Sequence, residues 1–231
     1  MKFFYSAGAM GYGNGWAWHR FYKFPNLPVV TKSLTITKKV GYPFAIIKIG
    51  DSIYNRVKLH NIGLYSWIDW FKRTLDFNNT KITISIAGYD DEIEEMVKTI
   101  NWLKLENIFG IELNYSCPNV KGFKNKKIPY STIPLHLKLN CGQNPHDYDL
   151  FKIRSIRVNS VPCFFGGKSG KAAQKDNWEF IRRFNKEGLH ISGSSFLSHN
   201  DIKYLEEYCG CEEIGIGSTI LIKPKLIEEL I

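Results

Sequence analysis

Eight short apolar runs of β type alternate along this chain with stretches of helical periodicity, and no repeat, low-complexity tract or Pro/Ser-rich linker interrupts the rhythm. The runs cover residues 3–6, 29–32, 81–87, 108–114, 134–139, 156–160, 190–193 and 213–217. Between them, the spacing predicts helices over 66–75, 90–105, 171–186, 198–208 and 224–231. Ser66 and Ser198 are placed to cap, Asp90, Asp91 and Glu92 face a positive helix end, and Gly210 is a natural stop. The segment 119–134 has no helical period although the alternation requires a helix there. Eight β/α steps in 231 residues are too many for a small open sheet and just enough for a (β/α)8 TIM barrel with trimmed loops and one outer helix missing. A single domain spanning 1–231 is expected. In such a barrel, functional side chains gather at the C-terminal ends of strands, where Lys32, Asn114, Lys138, Asn159 and Gly193 fall.

The charge is uneven. Lys and Arg number 31 against 22 for Asp and Glu, a net of +9, yet no acid precedes Asp51, none lies between Glu112 and Asp147, and none between Asp149 and Asp176. The face built from these stretches attracts anions. They contain no recognised RNA or DNA motif, so a nucleic-acid role is not expected. No apolar run approaches the roughly 20 residues that cross a bilayer. With five irregularly spaced cysteines suited to reduced thiols, the expectation is a cytoplasmic protein without a membrane anchor. Cys209 and Cys211 form only a C-x-C, and the six histidines show no H-x-x-x-H pair, so zinc is not expected.

Gly8, Gly11, Gly13 and Gly15 invite a dinucleotide reading, but Trp16 breaks the G-x-G-x-x-G spacing. The loop still suits close backbone approach to a flat ligand. The stretch ELNYSCPNV, 112–120, is the most informative: Asn114, the Cys117 thiol and Asn119 surround one turn stiffened by Pro118 at a barrel mouth. Paired amides there match the donors and acceptors of a planar, amide-like heterocycle.

Taken with SAG (6–8), TKS (31–33), NRVKLHNIGL (55–64), ISIAG (84–88), LKL (137–139), VNS (158–160), FGGKSG (165–170), SGS (192–194) and IGST (216–219), this segment resembles the dihydroorotate dehydrogenases, in the soluble class that uses a cysteine base. The resemblance spans nearly the whole chain in family order. It implies FMN held at the barrel mouth, a proton taken from C5 of dihydroorotate by Cys117, and hydride passed from C6 to the flavin. Lys32 and Lys138 match the two family lysines, joining Cys117 as catalytic residues and also facing the cofactor. Ser6, Ala7, Gly8, Gly166, Gly193, Ser194, Gly217 and Ser218 match the flavin cradle, and Asn55, Asn114, Asn119, Asn159 and Ser160 the substrate set. The family analogy favours fumarate as electron acceptor and a homodimer.

Three departures qualify the resemblance. The family's Met-Gly-Leu-Pro-Asn becomes Val57-Lys58-Leu59-His60-Asn61, so Lys58 either obstructs the substrate carboxylate or binds it. The hairpin that covers the site is expected to be missing after Ser160. The helix between Cys117 and Lys138 gives way to a basic, aperiodic stretch, with a lysine cluster over 121–127. Two functions follow: an active FMN oxidoreductase of pyrimidine biosynthesis, or an impaired relative serving as a structural or interaction module in a larger assembly.

Overall fold

A computed structural model describes residues 1–42, 45–74, 80–116, 127–158 and 160–230. Seven parallel strands form the main sheet: β1 (Lys2–Tyr5), β2 (Val29–Val30), β5 (Ile82–Ile86), β6 (Ile108–Asn114), β7 (Leu135–Leu139), β8 (Ile153–Val158) and β11 (Glu213–Ile216), in the order β11-β1-β2-β5-β6-β7-β8. The remaining gap is filled by 190–193, which makes bridges rather than a full strand. Ile156 N donates to His190 O at 2.8 Å and Ser192 N to Ile156 O at 2.9 Å, while Gly193 N donates to Glu213 O and Gly215 N to Gly193 O. The eight staves close a barrel, as the alternation predicts.

The strands alternate in the way a two-sided barrel requires. Outward go Ile82, Ile84, Ile86, Ile111, Leu113, Leu135, Leu137, Leu139 and Ile156, all buried. Against them pack α1 (Leu64–Arg73) through Trp67, Ile68 and Phe71, and α2 (Asp90–Leu103) through Ile93, Met96, Val97 and Ile100. On the far side, α3 (Gln174–Lys186) supplies Phe180, Ile181 and Phe184, and α4 (His199–Glu207) Ile202 and Leu205. Two short helices, α5 (Thr219–Ile222) and α6 (Pro224–Glu228), end the chain. Inward go Thr83, Ser85, Glu112, Asn114, His136, Lys138, Ser155 and Arg157, a polar interior that the alternation within each strand sets up.

Several boundaries differ from expectation for tertiary reasons. Helix α1 starts two residues early. Gly63, at φ +86°, precedes it, and its N–H donates to buried Asn61 Oδ1 at 2.8 Å, so Ser66 does not cap. Ser198 does cap α4, accepting from Asp201 N. After β6, residues 127–134 carry no helix, in line with the aperiodic sequence; residues 117–126 lie outside the described set. After β7 the chain makes only two 3-10 turns, Pro145–Asp147 and Leu150–Lys152, a second reduced connection that periodicity did not reveal.

The expected loss of the covering hairpin is corrected. Strands β9 (Val161–Cys163) and β10 (Gly166–Gly170) pair antiparallel, and β10 pairs in turn with β4 (Ser52–Asn55), which pairs with β3 (Ile46–Ile49). The hairpin was hidden because Pro162 sits in β9; as the edge strand, β9 tolerates it. Gly50, at φ +54°, turns the chain between β3 and β4.

Candidate active site

The C-terminal ends of the barrel strands and the four-stranded sheet enclose a cavity of about 490 Å³, within the roughly 300–1,000 Å³ range of cofactor and substrate sites. The loop after β1 brings Ser6, Ala7, Gly8, Trp16 and Trp18; the segment after β2 brings Lys32 and Ser33; β6 and β7 bring Asn114 and Lys138. Opposite them stand Ser160, Ser194, Ser195, Gly217 and Ser218. The antiparallel sheet and the chain beyond it contribute Ile46, Ile53, Asn55, Val57, Leu59 and Ser169.

Thus 11 of the residues singled out in the sequence meet at one cavity: Ser6, Ala7, Gly8, Lys32, Asn55, Asn114, Lys138, Ser160, Ser194, Gly217 and Ser218. Gly166 and Gly193 do not line it. Gly166 pairs with Cys163 at the hairpin turn, and Gly193 sits where a Cβ would meet Ile214 Cγ1 at 2.9 Å and Leu205 Cδ1 at 3.2 Å, so its role is close packing between staves. Cys117, Asn119 and Asn159 lie outside the described residues, as does all of the 121–127 cluster except Lys127. Lys127 itself pairs with Glu94 at 2.6 Å. Lys58 sits at φ 52° with its ammonium 4.6 Å from the centre of the Tyr42 ring, and it is not part of the cavity wall, whereas its neighbours Val57 and Leu59 are.

The floor is electrostatically organised. Glu112, 1% exposed, receives Lys138 Nζ at 3.6 Å and Arg157 Nη1 at 3.3 Å. Burial alone would push its carboxyl up, but Lys138, Arg157 and the Ser85 hydroxyl together hold it below the usual carboxylate range. One carboxylate thus balances one of two cations, and the three groups leave a net positive charge below the cavity. Lys32, half-buried, has its ammonium pushed below the ordinary lysine value by burial. The Arg157 guanidinium also lies 4.4 Å from the Phe4 ring centre. Below this layer His136 Nδ1 and Ser155 Oγ share a 2.8 Å bond, and Ser155 and Ser192 both donate to Glu213. Burial, with Arg157 and Arg154 nearby, lowers His136 to about 2, so it is neutral.

Sequence reasoning missed Trp16, Trp18, Ser33, Ser195, Asn177 and the sheet residues Ile46 and Ile53. Trp16 was read only as breaking a glycine motif; Ser195, at φ +60°, and Asn177, a buried helix residue on the cavity wall, carry no linear signature. The donor set fits a flavin mononucleotide on three observations. A Cβ at Gly8 would meet nothing within 4 Å, leaving the backbone open to a ligand. Two lysines face the same space, and Asn114, whose buried Oδ1 has no partner among the described residues, is among the lining residues.

Comparison with known proteins agrees with this arrangement. The dihydroorotate dehydrogenase family model matches residues 2–131, from β1 through β6 and beyond. A curated relative, dihydroorotate dehydrogenase B (NAD(+)), catalytic subunit, of Thermoplasma volcanium, is 33% identical over 230 aligned positions, covering 83% of this chain and 74% of the relative. Proteins of the same name match over shorter spans. That of Endomicrobium trichonymphae is 33% identical over 46% of this chain and 34% of its own length. That of Geotalea uraniireducens is 30% identical over 50% and 38%. With a barrel closed by eight staves, two lysines and an asparagine at its mouth, and a matching family model over more than half its length, the chain belongs to the dihydroorotate dehydrogenase family.

Proposed function

We propose that this protein is an FMN-dependent oxidoreductase that converts dihydroorotate to orotate, acting as the catalytic subunit of an assembly whose final electron acceptor is NAD+. The observation that carries the reading is the meeting of Lys32, Asn114 and Lys138 with Ser194 and Gly217 at one cavity of suitable size. Bound FMN would supply the hydride acceptor. The chain's own groups do the rest. The Cys117 thiolate takes the proton from C5 as hydride leaves C6, so two hydrogens depart and the ring gains its double bond. A thiol near pKa 8.5 is ionised in part at neutral pH, and positive charge beside it would increase that fraction. Lys138 and Lys32 stand ready for the negative charge that develops, without reorganisation during the reaction. Asn55, Asn114 and Ser160, with Asn119 and Asn159, orient the pyrimidine ring and its carboxylate.

The relatives' names carry "NAD(+)" and "catalytic subunit", which supports NAD+ reached through a second subunit in place of the fumarate expected from the resemblance. No helix among the described residues is long and apolar enough to cross a membrane. The test is an absorption spectrum of the purified protein before and after anaerobic dihydroorotate. A yellow protein whose flavin bleaches supports the reading, and reoxidation on adding NAD+ with the partner subunit, but not fumarate, supports the acceptor. Colourless protein indifferent to FMN refutes the flavoenzyme and leaves the structural module.

A further inference from the structure

Three charged side chains meet inside the barrel, and of these the proposed chemistry uses only Lys138. Lys138 on β7 and Arg157 on β8 stand level in the register of their strands, and Glu112 on β6 lies one layer below, level with His136. Both oxygens of Glu112 are occupied. Ser85 Oγ donates to Oε1 at 2.8 Å, and Arg157 Nη1 donates to Oε2 at 3.3 Å. Lys138 Nζ stays 3.6 Å from Oε1, beyond hydrogen-bond reach, and makes no hydrogen bond among the described residues. Of the three, Lys138 alone lines the cavity. Arg157 is buried at 7% exposure and held from its other side, with its guanidinium 4.4 Å from the Phe4 ring centre. An arginine does not lose its proton inside a protein, so this charge is permanent.

The charges can be summed. Glu112 and Lys138 alone would cancel, with the ammonium directed at the carboxylate. Arg157 brings the sum to +1 and leaves the surplus on the side chain that faces the cavity. A hydride carries two electrons and one proton, so a neutral flavin that accepts it gains one negative charge. A fixed positive charge nearby favours that product over the oxidised form. We propose that Arg157 is a positioning residue for the redox step: by engaging Glu112 it leaves the Lys138 ammonium uncompensated and free to donate, which makes the bound flavin a stronger oxidant. The inference rests on the flavin reading above and adds to it a residue outside the cavity wall.

The test is the midpoint potential of the flavin in FMN-loaded protein, measured at neutral pH by equilibration with a reference dye and read from the flavin absorption band. Arg157→Met takes the sum to zero. It should weaken binding of reduced relative to oxidised FMN about tenfold, a fall of about 30 mV for a two-electron couple. Glu112→Gln takes the sum to +2 and should raise the potential by a similar step. The double variant Glu112→Gln/Arg157→Met returns the sum to +1 and should lie near wild type, and Arg157→Lys should keep most of the wild-type potential. General damage to the fold would not reverse sign between the two single variants. If Arg157→Met folds poorly, Glu112→Gln and the double variant decide the matter between them. An unshifted potential in Arg157→Met, or a fall in Glu112→Gln, overturns the role of Arg157 and leaves the flavoenzyme reading intact. Wild-type protein that takes up no FMN overturns both.

Discussion

Replacing Glu112 by Leu should be among the most damaging single changes in the barrel, although leucine is apolar and close in volume. Glu112 is 1% exposed and lies 3.6 Å from the Lys138 ammonium and 3.3 Å from the Arg157 guanidinium. At an effective dielectric of about 20, each contact is worth roughly 5 kcal/mol of gross attraction. Much of that is offset by the several kcal/mol it costs to desolvate each ion. Leucine removes the attraction but recovers the desolvation of only one of the three groups. Two buried cations then remain side by side, and the expected loss is about 3–5 kcal/mol. For a chain of this size, at about 2–4 °C per kcal/mol, that lowers Tm by roughly 6–20 °C.

Urea unfolding of the flavin-free protein at neutral pH reads the loss directly. The diagnostic comparison is the Glu112→Leu/Arg157→Leu double variant. It discards one of the stranded cations and should recover about 1–3 kcal/mol relative to the sum of the single changes. The sign with pH follows from the lowered carboxyl: its folded value lies below the unfolded one, so its stabilisation is present above about pH 4.3 and fades as pH falls through the folded value. Loss of less than about 1 kcal/mol in the single variant, or strict additivity in the double, would refute the view that the three charges act as one unit.

Three further outcomes are expected. Cys117→Ala should keep the yellow flavin yet lose most dihydroorotate-dependent bleaching, measured anaerobically in a stopped-flow spectrometer; bleaching at the wild-type rate excludes the thiol as base. His136, neutral in the fold with its value lowered to about 2, must take a proton when the chain unfolds in acid. Its folded value lies below the unfolded 6.5, so stability is lost as pH falls below 6.5, by about 1.4 kcal/mol per pH unit. His136→Gln should flatten that slope between pH 6 and 4 in urea titrations, and an unchanged slope rules the residue out. Gly215→Ala places a Cβ 2.9 Å from the Phe4 ring and against the Ser6 hydroxyl. It should cost about 1–3 kcal/mol by overpacking and weaken FMN binding, both checked by thermal melts with and without FMN.

How much of this was legible in the sequence depends on whether the signal was local. Staves β5, β6 and β7 could be read because isoleucine and leucine recur at alternate positions, as in Ile82, Ile84 and Ile86, and that period survives folding. The stave at 190–193 lacks such a run and forms bridges only. Strand β8 begins three residues earlier than expected because exposed Arg154 and the polar Ser155 disguise its start. The two lysines could be picked out because each stands at the end of an apolar strand. Their control could not: Glu112, Ser85 and Arg157 come from β6, β5 and β8, and only the folded barrel brings them within hydrogen-bonding distance. The β9–β10 hairpin was missed because Pro162 contradicts a strand unless the strand is an edge, and edges are decided by tertiary pairing.

A barrel whose interior is given over to charges and hydroxyls has to draw its stability from elsewhere, and the polarity of the interior explains where trimming is tolerated. The apolar core is the shell between the outward faces of the strands and whatever covers them. Where α1, α2, α3 and α4 pack, that cover is helical. Along β6 and β7, among the described residues, it is irregular chain and a 3-10 turn instead, with Ile128 buried and Ile133 and Leu150 packed against the same core. Such a cover needs anchors, because irregular backbone cannot satisfy its own polar groups as a helix does. Asn101, at the end of α2, supplies one: its Oδ1 accepts from the backbone N–H of Thr132 at 2.9 Å and of Ile133 at 3.2 Å. The Tyr115 hydroxyl supplies another, donating to Lys127 O at 2.6 Å. On this side the described chain covers the shell without a helix, while the ends of β6 and β7 keep Asn114 in register with Lys138. The cover described here lies on the outside of the barrel, whereas the cavity and its lysines lie at the strand ends.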